Sequence, residues 1–272
     1  MTMKKLFYIV FALSLFSCST DNDATENSQA DLEPDKGYIF EMDLRSVMPS
    51  PEKYYRFSYE SGRLKSMLGR SYHHSSIGSV FHPDVLTLFT YSNNKVQIDY
   101  LGPEGSEVYR TAYYLMENNR PVKEEIYDNY TKYPSYLVTS KTYTYENNKI
   151  KIYQKRGGVE YYTTYFFDSQ QNLTKSEILQ KAGGIDEKVT TTTYSDFDNA
   201  KNPFKKLYLI NDDFYEKGLS TNNFRTKETV SQYLPTPANG NTNYPPGYAK
   251  DQWSYNYDSN GQILLYYPLK KL

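Results

Sequence analysis

From Thr142 to Tyr153 the chain reads TYTYENNKIKIY, with polar and apolar residues alternating up to Asn147-Asn148 and alternating again beyond it. Successive side chains of a strand point to opposite faces. A two-residue loop at the asparagines therefore sets Tyr145 beside Ile150 and Tyr143 beside Ile152 on one face. Glu146/Lys149 and Thr144/Lys151 share the other, with Glu146 and Lys149 as a cross-strand ion pair beside the turn. Both strands agree on the apolar side, which fixes the register. Asn tolerates the left-handed backbone that a tight type I′ turn demands. The stretch predicts a β-hairpin with one wet face.

The same pattern recurs along the chain. In LFTYSNNKVQID a loop at Asn93-Asn94 pairs Tyr91 with Val96 and Phe89 with Ile98; in FSYESGRLKS a loop at Ser61-Gly62 pairs Tyr59 with Leu64 and Glu60 with Arg63. YNYDSNGQILLYY carries Asn260-Gly261, the strongest short hairpin signal. In YYLMENNRPVKEEIY the turn at Asn118-Asn119 would set Tyr114 beside Lys123, and Pro121 removes a backbone donor, so this unit is predicted to be bulged or at an edge. TTYFFDSQQNLTKSEI reads as a hairpin with a longer loop. The aromatic or Met before each turn (Tyr59, Tyr91, Met116, Tyr145, Phe167, Tyr257) recurs at irregular spacing, so the repeats are degenerate and no strict solenoid results.

Folding is expected to begin near Gly37, where YIFEMDL alternates. One helix is predicted in NPFKKLYLINDDFYEKG, with Asn202 as N-cap, Pro203 in the first turn and Gly218 past the end. A strand follows near 224–234, then the loop PTPANGNTNYPPG, then a last hairpin over 252–267. The fold class is all-β: an antiparallel meander of hairpins forming a large one-sided curved sheet or open barrel, with one short helix near 203–217. Three segments are expected: a signal peptide at 1–17, a tether at 18–36 and a single β domain at 37–272.

Composition sharpens this picture. The chain has 272 residues and 31 Tyr against 13 Phe. A Tyr ring packs while its hydroxyl stays wet, which suits a thin sheet, and β-propensity alone enriches Tyr. The net charge is −1. No basic stripe argues for nucleic acid.

The amino terminus carries an address. MTMKKLFYIVFALSLFSC opens with Lys4 and Lys5 and runs apolar from Leu6 to Phe16, too short to span a bilayer, which takes about 20 residues. It fits a secretory signal. Leu15-Phe16-Ser17-Cys18 resembles a bacterial lipoprotein lipobox, with Phe16 where a smaller residue is usual. The resemblance implies cleavage after Ser17, a diacylglycerol thioether on Cys18 and an acyl chain such as palmitate on its amino group. Cys18 is the only cysteine, so no internal disulfide competes for it, and several acyl chains on one residue anchor stably. The acidic, nearly apolar-free stretch after it has the composition of a disordered tether. Asp21 and Asp23 resemble the acidic export signal of surface lipoproteins in Bacteroidetes, which implies an outer-membrane location facing outward.

Tyr59-Glu60, Tyr145-Glu146, Phe167-Asp168 and Tyr257-Asp258, each before a turn, resemble degenerate YD repeats of the Rhs type. YSDFDNAKNPFKKL followed by LSTNNF resembles the carboxy-terminal half of a YD-repeat-like family of Bacteroidetes lipoproteins. That family supplies expectations of fold and location and no activity.

Candidate chemistry is sparse. His73, His74 and His82 are the only histidines, and with Asp84 they offer metal ligands or an acid–base pair. Adjacent residues of a strand face opposite ways, however, which opposes shared ligation. Asn256-x-Asp258-x-Asn260-Gly261 resembles the start of an EF-hand loop, yet its twelfth position is Tyr267 where a Glu is needed. Asp196 and Asp198 fit calcium or simple turn hydrogen bonding. There is no phosphate-cradling Gly loop and no nucleophile elbow. No catalytic residue, metal or cofactor is assigned. The expectation is a surface-anchored, non-catalytic protein binding a glycan or protein partner, with Trp253, Tyr244 and Tyr248 as binding aromatics beside the Pro/Asn/Gly-rich loop. The alternative is a carbohydrate-active hydrolase of the outer membrane using two carboxylates.

Overall fold

The computed structural model describes residues 32–38, 54–74, 78–102, 107–129, 135–240, 242–265 and 270–271. Cys18, the signal segment and most of the tether lie outside them. Among the described residues fifteen strands follow one another in chain order, each hydrogen-bonded antiparallel to the next. The first five are β1 (Lys36–Tyr38), β2 (Tyr54–Glu60), β3 (Arg63–His74), β4 (Gly78–Ser92) and β5 (Lys95–Leu101). Next come β6 (Val108–Glu117), β7 (Arg120–Asp128), β8 (Tyr136–Glu146), β9 (Lys149–Arg156) and β10 (Val159–Phe167). The last are β11 (Leu173–Ala182), β12 (Ile185–Phe197), β13 (Phe224–Tyr233), β14 (Gly247–Ser254) and β15 (Lys270–Lys271). This is the expected all-β meander. Its ladder stays open, although the β1 edge reaches the carboxy-terminal segment through one backbone bond, Tyr38 N–H to Leu265 C=O at 2.6 Å.

The registers follow from the alternation. Tyr145 pairs with Ile150 and Tyr143 with Ile152, Tyr91 with Val96 and Phe89 with Ile98, and Tyr59 with Leu64. Positive φ at Ser61, Gly62, Asn118 and Asn119 is what a two-residue turn needs at both central positions. Gly157-Gly158 and Gly183-Gly184 make two further turns of this length, between Arg156 and Val159 and between Ala182 and Ile185.

Three expectations change in detail. The unit around Pro121 is bulged but internal: the ladder shifts between Leu115 and Met116, so Tyr114 faces Glu124 in place of Lys123, and β8 covers the far side of β7. Glu146 takes its ion pair from Lys151 at 2.7 Å, two residues beyond its cross-strand partner Lys149. Asn260-Gly261 does not form a two-residue loop. Tyr257 bridges Ile263, and the Asp258 carboxylate accepts the amides of Asn260 and Gln262, so the side chain closes a longer turn.

One face of the sheet is packed. Phe57, Met67, Phe89, Ile98, Ala112, Tyr114, Tyr143, Ile152, Tyr165 and Tyr194 are buried there in one cluster with Phe204, Leu207, Leu209, Ile210, Phe214 and Tyr215. Those last six come from the segment between β12 and β13. Phe214 meets Tyr55 of β2 edge-on at 6.3 Å, and Tyr215 meets Tyr143 of β8 at 5.6 Å and Tyr165 of β10 at 6.3 Å. Lys217 lies 5.4 Å from the Trp253 ring of β14. Strands from β2 to β14 thus reach one plug, and the sheet curves around it.

The helix in this plug is shorter than expected and starts later: α1 spans Asp212–Leu219, with Asn211 as its N-cap accepting from Phe214 N–H. Residues 203–210 make successive tight turns, Leu207 N–H to Phe204 C=O and Ile210 N–H to Leu207 C=O. An α-helix offers one apolar stripe; here the apolar residues must meet a sheet that surrounds them, and turns aim them in several directions. Asn202 still caps: its Oδ1 accepts from Phe204 N–H at 2.8 Å, and its Nδ2 donates to the carbonyls of Lys217 and Ser220 at 2.7 Å. Gly218 lies inside α1, where a Cβ would stand 3.0 Å from the Phe204 carbonyl oxygen and 3.1 Å from Tyr208 Cβ. It permits close approach between turns and helix and does not end the helix.

Candidate functional site

The three expected binding aromatics do not form one site. Tyr248 and Trp253 are five apart in β14, an odd separation that sends them to opposite faces. Trp253, 7% exposed, packs in the core against Phe224 at 5.9 Å and Tyr255 at 6.5 Å. Tyr248, 64% exposed, stands on the outer face opposite Val230. Tyr244, 45% exposed, lies edge-on to Tyr233 at 6.3 Å. With Pro245 and Gly247 these two rings line a recess of about 570 Å³. Lys188 stands 5.1 Å from the Tyr233 ring. Tyr233 is the partner that adjacency in sequence missed; the chain folds back after β13, with Gln232 Nε2 donating to the Tyr244 carbonyl at 2.6 Å, and brings the two rings together.

A second constellation is charged and buried. Glu124 of β7 and Lys141 of β8 face each other in register and join at 2.9 Å, with 4% and 6% side-chain exposure. Tyr114 and Tyr143 donate their hydroxyls to the two Glu124 oxygens at 2.8 and 2.9 Å. Burial pushes both hydroxyls well above their ordinary pKa, and the Glu124 charge adds to it, so both stay protonated donors. Lys141 also binds Asp212 at the start of α1. Burial works to lower the Lys141 ammonium, but Asp212 and Glu124 together outweigh it and hold its pKa above the ordinary value. A cavity of about 240 Å³ adjoins this cluster, with Arg70 and Arg110 in its wall. Arg110 is tied to Asp128 at 2.6 Å. The arrangement is a saturated network that pins α1 to the sheet.

The weaker candidates resolve as turn chemistry. Asp168 accepts the amides of Gln170 and Asn172, repeating the geometry of Asp258, and Gln171 and Gly261 take the same left-handed position in the two turns. Asp196 binds Arg225 at 2.6 Å. Asp198 accepts from Asn223 and from the Tyr257 hydroxyl. His82 sits opposite Arg70, while His73 and His74 end β3 opposite Ser79 and Gly78. Among the described residues no group of three or more His, Cys, Asp or Glu is placed to hold a metal ion.

The outer face mixes charge with exposed aromatic and apolar side chains such as Tyr113, Tyr162, Val230 and Tyr248. Exposed pairs Glu60–Lys65, Glu146–Lys151, Lys181–Asp186 and Glu228–Lys250 run across it. A lipid-facing strand surface is apolar, and Lys or Arg costs about 2–4 kcal/mol at mid-bilayer.

No family model and no curated protein matches the chain. Among solved structures it is similar to a porin-like protein from Bacteroides vulgatus ATCC 8482, at 11% identity and a TM-score of 0.46, over 78% of this chain and 92% of that one. It is also similar to a porin-like protein from Bacteroides uniformis ATCC 8492, at 14% identity and a TM-score of 0.44, over 77% of this chain and 79% of that one.

Proposed function

We propose that the chain is a lipid-anchored, non-catalytic binding protein of the outer membrane. Its β domain stands outside the bilayer on the cell surface and takes a glycan through exposed aromatics. The observation that carries this reading is the split between committed charge and open aromatic surface. Glu124, Asp128, Asp198 and Asp212 are held by cations or hydrogen-bond donors, whereas Tyr233 and Tyr244 present ring faces in an open recess. Flat apolar rings with polar edges are what sugar rings and protein partners both use. A glycan array probed with the full mature chain tests this: retention is expected to fall about tenfold or more when Tyr233→Ala and Tyr244→Ala are combined. Unchanged retention, or no retained glycan at all, would count against it.

One observation favours the hydrolase reading. Asp213 in the first turn of α1 has its carboxyl raised by the surrounding protein, then by the Glu216 charge. Glu216 itself is paired with Lys227 at 2.7 Å. A raised acid with a second carboxylate nearby is the asymmetry that glycosidases use. Release of reducing ends from the retained glycan, abolished by Asp213→Asn, would establish that reading over the first.

A further inference from the structure

At every second connection from β2 to β9 a base stands immediately after the turn: Arg63 after Ser61-Gly62, Lys95 after Asn93-Asn94, Arg120 after Asn118-Asn119 and Lys149 after Asn147-Asn148. All four turns lie at the same end of the sheet, because the strands run in strict up-and-down order. The acids before two of these turns are drawn elsewhere, Glu60 to Lys65 and Glu146 to Lys151. Arg63 instead lies 5.3 Å from the Tyr91 ring and Arg120 lies 5.3 Å from the Tyr145 ring, each a ring of the next hairpin. From the plug, the turn at Lys205-Lys206 faces the hairpin tips, with Lys206 tied to Glu33.

Between tips and plug run two recesses of about 440 and 300 Å³, which share Asn119, Lys205 and Tyr208 and so form one trough. Its lining holds six basic residues (Arg63, Lys95, Arg120, Lys149, Lys205 and Lys206) and one acid, Glu146; Lys149 stands at the rim with its ammonium 5.2 Å from the Phe166 ring on the outer face, and Lys206 is paired with Glu33. The size falls within the range of small-ligand sites, about 300–1,000 Å³. The lining also offers what a sugar needs besides charge: the carboxamides of Asn93, Asn119 and Asn148 for hydroxyls, and the rings of Tyr91 and Tyr208 as apolar faces. We propose that this trough binds an anionic saccharide, one whose carboxylate or phosphate groups meet the bases at the hairpin tips. Focusing of like charge in a cleft raises the local concentration of the opposite charge, and Arg at the rim gives bidentate contacts to either group. The trough lies at the opposite end of the strands from the Tyr233–Tyr244 recess, so the proposal does not rest on that site.

Calorimetric titration of the full mature chain in detergent tests it, with trigalacturonate and glucose 6-phosphate as the carboxylate and phosphate probes. Saturable binding of at least one is expected. Lys95→Glu combined with Lys205→Glu is expected to weaken it about tenfold or more, and Arg63→Gln to weaken it in the same direction. Lys155→Glu, beside the Gly157-Gly158 turn at the other end of β9, is expected to stay within about twofold. Circular dichroism confirms that each variant is folded, and Arg63→Gln carries the test if the double variant is not. Binding of neither probe, or an equal loss in Lys155→Glu, would overturn the proposal. The Tyr233→Ala/Tyr244→Ala variant is expected to bind both probes as the parent does, and a loss there would move the anion site to the recess and overturn it as well.

Discussion

Replacing Glu124 by alanine is expected to destabilise the fold by about 3–5 kcal/mol, the range for breaking a buried ion pair by removing one partner. The change removes the acceptor of two buried tyrosine hydroxyls and the partner of a buried ammonium at once. Asp212 still faces Lys141, but its side chain is 72% exposed, so it shares the ammonium with water and compensates only in part. Removing both charges with Glu124→Leu and Lys141→Met is expected to recover more than half of the loss, because a well-packed apolar pair replaces an unpaired charge. Urea midpoints of the three proteins decide. A loss below about 1 kcal/mol in the single variant would mean that the network is not what ties α1 to the sheet.

Ile152→Asp is expected to cost a similar amount, about 3–5 kcal/mol, by placing an unpaired carboxylate on the packed face. Ile152 is 9% exposed and lies between Tyr143 of β8 and Thr163 of β10. Lys151→Asp, one position away, loses the ion pair to Glu146 on a surface where both side chains are about half exposed. Such a pair contributes about 1 kcal/mol or less, and the new acid beside Glu146 adds a repulsion of similar size. The two urea midpoints should therefore separate widely. Coincident midpoints would contradict the assignment of faces.

The hairpins were legible in the sequence because two independent signals coincide in each: alternation on both strands and turn residues that accept left-handed backbone. Where one signal is missing the reading slips. Tyr114 was expected beside Lys123, and the bulge at Leu115 and Met116 that moves it to Glu124 leaves no mark beyond Pro121. That one-residue shift also hid the buried network, since VKEEIY reads as a wet strand until Glu124 is turned toward Lys141. The plug was legible only by its caps. Asn202 is used as expected, but the helix takes Asn211 as its N-cap and holds Gly218 inside it, and no single helical period describes residues buried on several sides. Trp253 was grouped with Tyr244 and Tyr248 by nearness in sequence, whereas counting along β14 separates its face from that of Tyr248. The basic trough follows from a repeat in plain view, a base after each of four turns at one end of the sheet, yet its opposite wall comes from Lys205 and Lys206, which only the fold brings near.

The proposed arrangement has the β domain on the outside of the outer membrane, held there through Cys18. It is tested most directly by placing a specific protease site after Ala30, next to the start of the compact unit Asp31–Leu272, and treating intact cells. The β domain is expected to be released into the medium, while a short stub carrying fatty-acid label on Cys18 stays with the membrane. A β domain that remains in the membrane fraction after complete cleavage, or a site that intact cells shield from the protease, would contradict it.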